Sequence, residues 1–128
     1  HLIPVTGDTD LRQGPALRDR RLDHIYAPAR SPAIVAWPDL ELRLDFDPPI
    51  ETVVVYTPPH AACVEPQTAW PNAPTLHESG IDGTGLTTVA PGGTLEATTT
   101  WTWGPPTRLG TPYSGGMFWL SRKKLPGS

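Results

Sequence analysis

Leu40-Glu41-Leu42-Arg43-Leu44-Asp45-Phe46 decides the class of this fold. Leu40, Leu42, Leu44 and Phe46 alternate with Glu41, Arg43 and Asp45, so an extended chain puts the apolar side chains on one face and the charges on the other. That is the pattern of a strand with one buried side and one wet side. Asp47-Pro48-Pro49 then supplies a turn, because proline presets its own backbone torsion and pushes the preceding residue out of helical space. Residues Ile50–Thr57 read as the next strand. A connection this short predicts that the two strands pair antiparallel.

The same signals recur on both sides. Towards the N-terminus, Pro28, Pro32 and Pro38 frame a short apolar strand at Ile34–Trp37. Before it, His1–Arg21 is loop with a short strand at Leu2–Thr6 and room for one helical turn at Ala16–Leu22. The run Arg18, Asp19, Arg20, Arg21 reads as a solvated surface. Towards the C-terminus, Ala61–Glu65 is a short apolar run bounded by prolines, which suits a buried strand, and Pro66–Gly85 is loop-like. Leu86–Ala90 and Thr94–Trp103 flank Pro91-Gly92-Gly93 and predict a hairpin, since glycine accepts positive backbone torsions freely. In its second arm Leu95, Ala97, Thr99, Trp101 and Trp103 share one face, opposite Glu96, Thr98, Thr100 and Thr102.

The chain holds 17 prolines among 128 residues, well above the usual ~5%, and long helices are therefore nearly excluded. The expected fold is all-β: an antiparallel β-sandwich, one domain or part of a larger one, over residues 1–103. Residues 104–128 are rich in Gly, Pro and Ser, carry the apolar cluster Met117–Leu120, and end in Arg122, Lys123 and Lys124. They read as a linker or poorly ordered extension.

Ten basic and 13 acidic side chains leave a formal net charge of −3, which gives no reason to attract nucleic acid or an anionic membrane surface. The longest apolar runs fall far short of the ~20 residues that span a bilayer. Cys63 is the only cysteine, so no intramolecular disulfide can form, and a cytoplasmic protein is the default expectation. A chain beginning at His1 without an initiating Met reads as one that was cut, cloned or tagged.

No His or Cys pair has the close spacing of a zinc site, and Gly80-Ile81-Asp82-Gly83-Thr84-Gly85 lacks the Lys-Ser/Thr ending of a phosphate loop. No nucleophile elbow is present. What remains is Glu65, at the end of an apolar run and before Pro66, where partial burial would raise its pKa toward useful base strength. The plainer alternative is that Glu65 caps the turn or accepts a hydrogen bond from a nearby amide.

Read in order, the chain offers Ile3-Pro4-Val5-Thr6-Gly7, Asp10-Leu11-Arg12, Leu22-Asp23-His24, Val55-Tyr56-Thr57-Pro58, Cys63-Val64-Glu65-Pro66-Gln67-Thr68 and Ala90-Pro91-Gly92-Gly93. This succession resembles the C-terminal half of aldose 1-epimerases, the galactose mutarotase-like family, over about Ile3 to Trp103. The resemblance implies part of a large β-sandwich that interconverts the α and β anomers of an aldose such as galactose or glucose, without a cofactor or metal. It implies that Glu65 is the base that takes the anomeric hydroxyl proton and that Asp23 contacts sugar hydroxyls. Without it, Asp23 reads as a helix cap or a surface ion pair with Arg20 or Arg21. Trp70, close to the Glu65 loop, is placed to stack on a sugar ring or to serve as a core or interface aromatic. The family's catalytic histidine comes from its N-terminal half and has no counterpart here; His24, His60 and His77 stand at other positions. A non-catalytic carbohydrate-binding β-sandwich, or a folded fragment without sugar function, is the alternative. Uncovered strand edges and sheet faces further predict a homo-oligomer.

Overall fold

The computed structural model describes residues 2–17, 20–106 and the backbone of 122–124. Its strands are β1 (Leu2–Pro4), β2 (Asp23–Tyr26), β3 (Ala33–Ala36), β4 (Glu41–Phe46), β5 (Thr52–Tyr56), β6 (Cys63–Gln67), β7 (Thr99–Gly104) and β8 (Arg122–Lys124), with one short helix, α1 (Ala73–Glu78). They form a five-stranded sheet in the order β1-β8-β2-β5-β6 and a three-stranded sheet in the order β3-β4-β7, antiparallel throughout. Among the described residues the protein is all-β apart from α1 and a single 3-10 turn at Gly7–Thr9.

The alternation over Leu40–Phe46 is realised in β4. Leu44 and Phe46 are buried, Leu42 packs against them, and Arg43 lies on the wet face, where its guanidinium bonds both oxygens of Asp45 at 2.7 and 2.8 Å. Both sheets feed one core. Tyr26, Val53 and Val55 from the larger sheet meet Ala33, Val35, Leu44 and Phe46 from the smaller, and Val5, Leu11, Leu17, Leu22 and Ile50 complete the cluster.

The expected β4–β5 pair does not form. β4 lies between β3 and β7, whereas β5 lies between β2 and β6 in the other sheet. The link closes tightly, with Ile50 N–H donating to the Asp47 carbonyl at 3.0 Å, but it carries the chain from one sheet to the other. The cause lies in β5 itself, where Thr52 to Val55 are all buried. Val53 and Val55 face the common core, while Val54 joins Ile25, Ala27 and Trp70 in a second cluster on the opposite face. A strand apolar on both faces needs cover on both, so β5 takes a central position, flanked by β2 and β6.

Three further expectations change. The turn at Pro91-Gly92-Gly93 forms, with Gly93 N–H on the Ala90 carbonyl at 2.8 Å, but residues 86–98 contain no strand. The partner of β7 is β4, whose apolar face matches its alternation: Thr99, Trp101 and Trp103 stand opposite Phe46, Leu44 and Leu42. Leu86–Ala90 has no such alternation to offer. The Pro66–Gly85 stretch is not all loop, because α1 forms with proline in its first turn, where no amide bond is lost, and Ala73 is buried with Leu76 packed on the second cluster. The expected helical turn at Ala16–Leu22 is not described as a whole, Arg18 and Asp19 lying outside the described residues, and Arg20 N–H donates to the Leu17 carbonyl at 3.0 Å across them. Nor is Arg20 simply solvated, since its guanidinium donates to the carbonyls of Ala16 and Asp8.

Of the C-terminal extension, residues 107–121 and 125–128 lie outside the described set, including Met117–Leu120. The backbone of β8 pairs with both β1 and β2.

Candidate functional site

Strand register brings the two carboxylates singled out by sequence to one face of one sheet. Asp23 stands opposite Tyr56, and Tyr56 opposite Cys63; two residues along, Ile25 stands opposite Val54, and Val54 opposite Glu65. Directly paired residues share a face, so Asp23, Tyr56 and Glu65 project from the side of the five-stranded sheet that faces away from the common core. Two strand spacings and a two-residue offset put the Asp23 and Glu65 Cα atoms about 12 Å apart. Tyr56 lies between them and is 44% exposed.

Each member is held by a local device. Thr57, buried just after β5, accepts a hydrogen bond from Leu22 N–H at 2.7 Å and donates its hydroxyl to the Arg20 carbonyl at 2.5 Å, while its own N–H reaches the Leu22 carbonyl. This clamp sets the chain one residue before Asp23. On β6, the Gln67 side-chain amide donates to a Glu65 oxygen at 3.0 Å. Beyond β6, Trp70 N–H donates to the Thr84 carbonyl at 2.7 Å, and Gly85 sits so close to Thr68 and Ala69 that a Cβ there would run into the Thr68 carbonyl.

Glu65 is exposed, which corrects the expected partial burial. The cause is position: β6 is the edge of its sheet, and the Trp70–Ile81 segment covers the Ile25 and Val54 portion of the face without closing over the edge. Asp23 is likewise exposed and makes no ion pair among the described residues, Arg20 being drawn to Asp8 instead. Trp70 is only 7% exposed and packs with Ile25, Ala27 and Val54, so its indole belongs to the floor of this face.

The histidines are placed elsewhere. His24 stands opposite Val55, a core residue, and so projects from the other side of the sheet, its ring 6.5 Å from that of Tyr26. His60 lies exposed in the β5–β6 connection and His77 exposed on α1. Among the described residues no three His, Cys, Asp or Glu side chains gather as a metal-binding group, and no helix is long and apolar enough to cross a membrane. An open depression of about 500 Å³ adjoins the site, lined by Ile50, Pro66, Gln67, Thr68, Ala97 and Thr99 among others. Gln67 thus touches both Glu65 and this depression.

Tyr56, Thr57 and Gln67 stand in the sequence only as parts of the resembling motifs, with no role of their own. Tyr56 carried a readable signal, a polar-tipped aromatic closing the run Val53-Val54-Val55, but its position between the two acids required the strand order. No family model matches this chain, and neither does any curated protein or solved structure.

Proposed function

We propose that the outer face of the five-stranded sheet around Asp23, Tyr56 and Glu65 is a sugar-facing surface, in a chain resembling the C-terminal part of an aldose 1-epimerase, and that the two sheets form part of a mutarotase-like β-sandwich. The observation that carries the reading is the shared face: two motif-matched carboxylates, 42 residues apart in sequence, flank one exposed tyrosine. Carboxylates accept hydrogen bonds from sugar hydroxyls, and an aromatic face packs against the apolar C–H side of a pyranose. Glu65 takes the anomeric hydroxyl proton as general base, and Asp23 fixes the ring by its hydroxyls. His24 points to the opposite side of the sheet and so does not supply the general acid that protonates the ring oxygen.

That same placement favours a second reading, binding without catalysis. One pair of experiments separates the two. Following optical rotation of freshly dissolved α-galactose or α-glucose, the epimerase reading expects an approach to equilibrium faster than buffer, falling about 100-fold in the protein-dependent part for Glu65→Gln. A rate equal to buffer, or one indifferent to the substitution, rejects catalysis. Sugar-induced shifts of the Asp23, Tyr56 and Glu65 backbone amides in that case support binding alone, and their absence rejects both.

A further inference from the structure

Strand β7 ends the smaller sheet with an edge that nothing among the described residues pairs. Its sequence, Thr99-Thr100-Trp101-Thr102-Trp103-Gly104, has no charge, and none occurs from Ala97 to Thr107. The usual devices that keep an edge strand from pairing with another chain, an inward charge, a lysine, a proline or a bulge, are absent until Pro105. Trp101 and Trp103 stand opposite Leu44 and Leu42, on the face that elsewhere supplies the core, yet they are 54% and 72% exposed. The apolar face of the smaller sheet therefore runs out past its cover, and Leu40, 38% exposed, continues it.

We propose that β7 is a self-association edge, and that a second copy of this chain occupies it by antiparallel β7–β7 pairing about a two-fold axis at Thr102. Antiparallel pairing of one strand with itself is self-complementary, which is what a two-fold interface requires. With Thr102 opposite its own copy, Trp101 falls opposite Trp103 of the partner subunit, and the reverse pair repeats the contact. Four indoles then form cross-strand aromatic pairs on one face, while on the other Thr102 meets its own copy and Thr100 stands opposite Gly104. A register shifted by one residue would put tryptophans against threonines and lose these pairs. A strand without charge offers no complementarity to a charged partner, which leaves an identical edge as its best match.

Size agrees. The exposed parts of the two indoles amount to roughly 300 Å² per copy, and the strand edge with its threonines adds a comparable area. Complete cover of both would total a little over ~1,000 Å² across the two copies, the lower limit for a specific interface. This inference is independent of the sugar-facing surface, which lies on the other sheet.

Sedimentation velocity of the full chain across the micromolar range tests it. The expected result is a monomer–dimer equilibrium accompanied by a blue shift of tryptophan emission as the dimer fills. Thr102→Lys and Trp103→Thr each weaken association by about 100-fold with unchanged far-UV circular dichroism, since both side chains are exposed in the monomer. Glu65→Lys, on the other sheet's edge, leaves the equilibrium unchanged. A monomer throughout, including one whose tryptophans respond instead to an added oligosaccharide, overturns the proposal. So does a dimer that survives both β7 substitutions.

Discussion

Strands β6 and β7 each end a sheet, and they treat that position in opposite ways. β6 carries Glu65 and Pro66 in its centre; the proline removes a ladder donor, and the acid keeps its face wet. β7 carries two tryptophans among threonines and no charge. The two edges also differ in what holds them down. The chain leaving β6 is stitched back by Trp70 on Thr84, by the approach of Gly85 to Thr68, and by a cluster of Trp70, Leu76 and Ile81 on Val54. The chain entering β7, residues 86–98, is exposed along its length, with Leu86, Val89 and Leu95 between 37% and 44% accessible. A blunted, anchored edge is free to present a carboxylate to a small ligand. An unguarded one is suited to another strand.

Two substitutions sharpen or break this contrast, and a third probes the core that both sheets share. Leu44→Ala is expected to have the largest effect. Leu44 is 1% exposed and lies beside Trp101 at the point where β7 joins the core, so truncation costs about 3 kcal/mol. Chemical denaturation measures the loss, and amide exchange should rise most along β7; an equal rise along β6 would mean that the edges are not separately anchored. Gly85→Ala comes next. Gly85 has φ +75 and no room for a Cβ, so the change is expected to cost about 2 kcal/mol and to displace the segment that follows β6. The shift should appear in the Glu65 and Gln67 resonances while β7 self-association persists.

Tyr26→Phe is the smallest and touches neither edge. The phenol is fully buried and donates to the Thr9 carbonyl at 3.1 Å, so its loss costs about 1 kcal/mol. Burial pushes the Tyr26 phenol well above its ordinary value, with Arg20 opposing and Asp10 adding to the shift. The folded chain holds this proton where an unfolded chain ionises near pH ~10. The stabilisation is therefore complete below that pH and is lost as pH rises above it towards the folded value. Thermal denaturation of wild type and Tyr26→Phe on the alkaline side should show a shallower decline in the variant. Parallel curves would show that Tyr26 does not carry the effect.

Much of the local structure was legible. Alternation at Leu40–Phe46 named a strand and its buried face, and proline density removed long helices. The helix at Ala73–Glu78 was not legible, because Pro74 reads as a breaker unless it falls in a first turn. The hairpin expected around Pro91-Gly92-Gly93 failed for a related reason: a good turn brings two arms together only if both can pair, and β7 found a better partner in β4. Of the candidate site, residue types and spacing pointed to Glu65 and Asp23. Nothing local revealed that Glu65 lies exposed at an edge or that Trp70 is buried.

By itself, then, the sequence determined an all-β chain, the faces of its clearest strands and the residue types available for chemistry, because side-chain alternation and proline geometry act within a few residues. Tertiary structure alone decided which strands are neighbours. Alternation says which side of a strand is apolar but not which strand lies beside it, and burial of β5 on both faces settled that by placing β2 and β6 next to it. With that order came the shared face of Asp23, Tyr56 and Glu65, the turning away of His24, and the unguarded edge at Trp101 and Trp103.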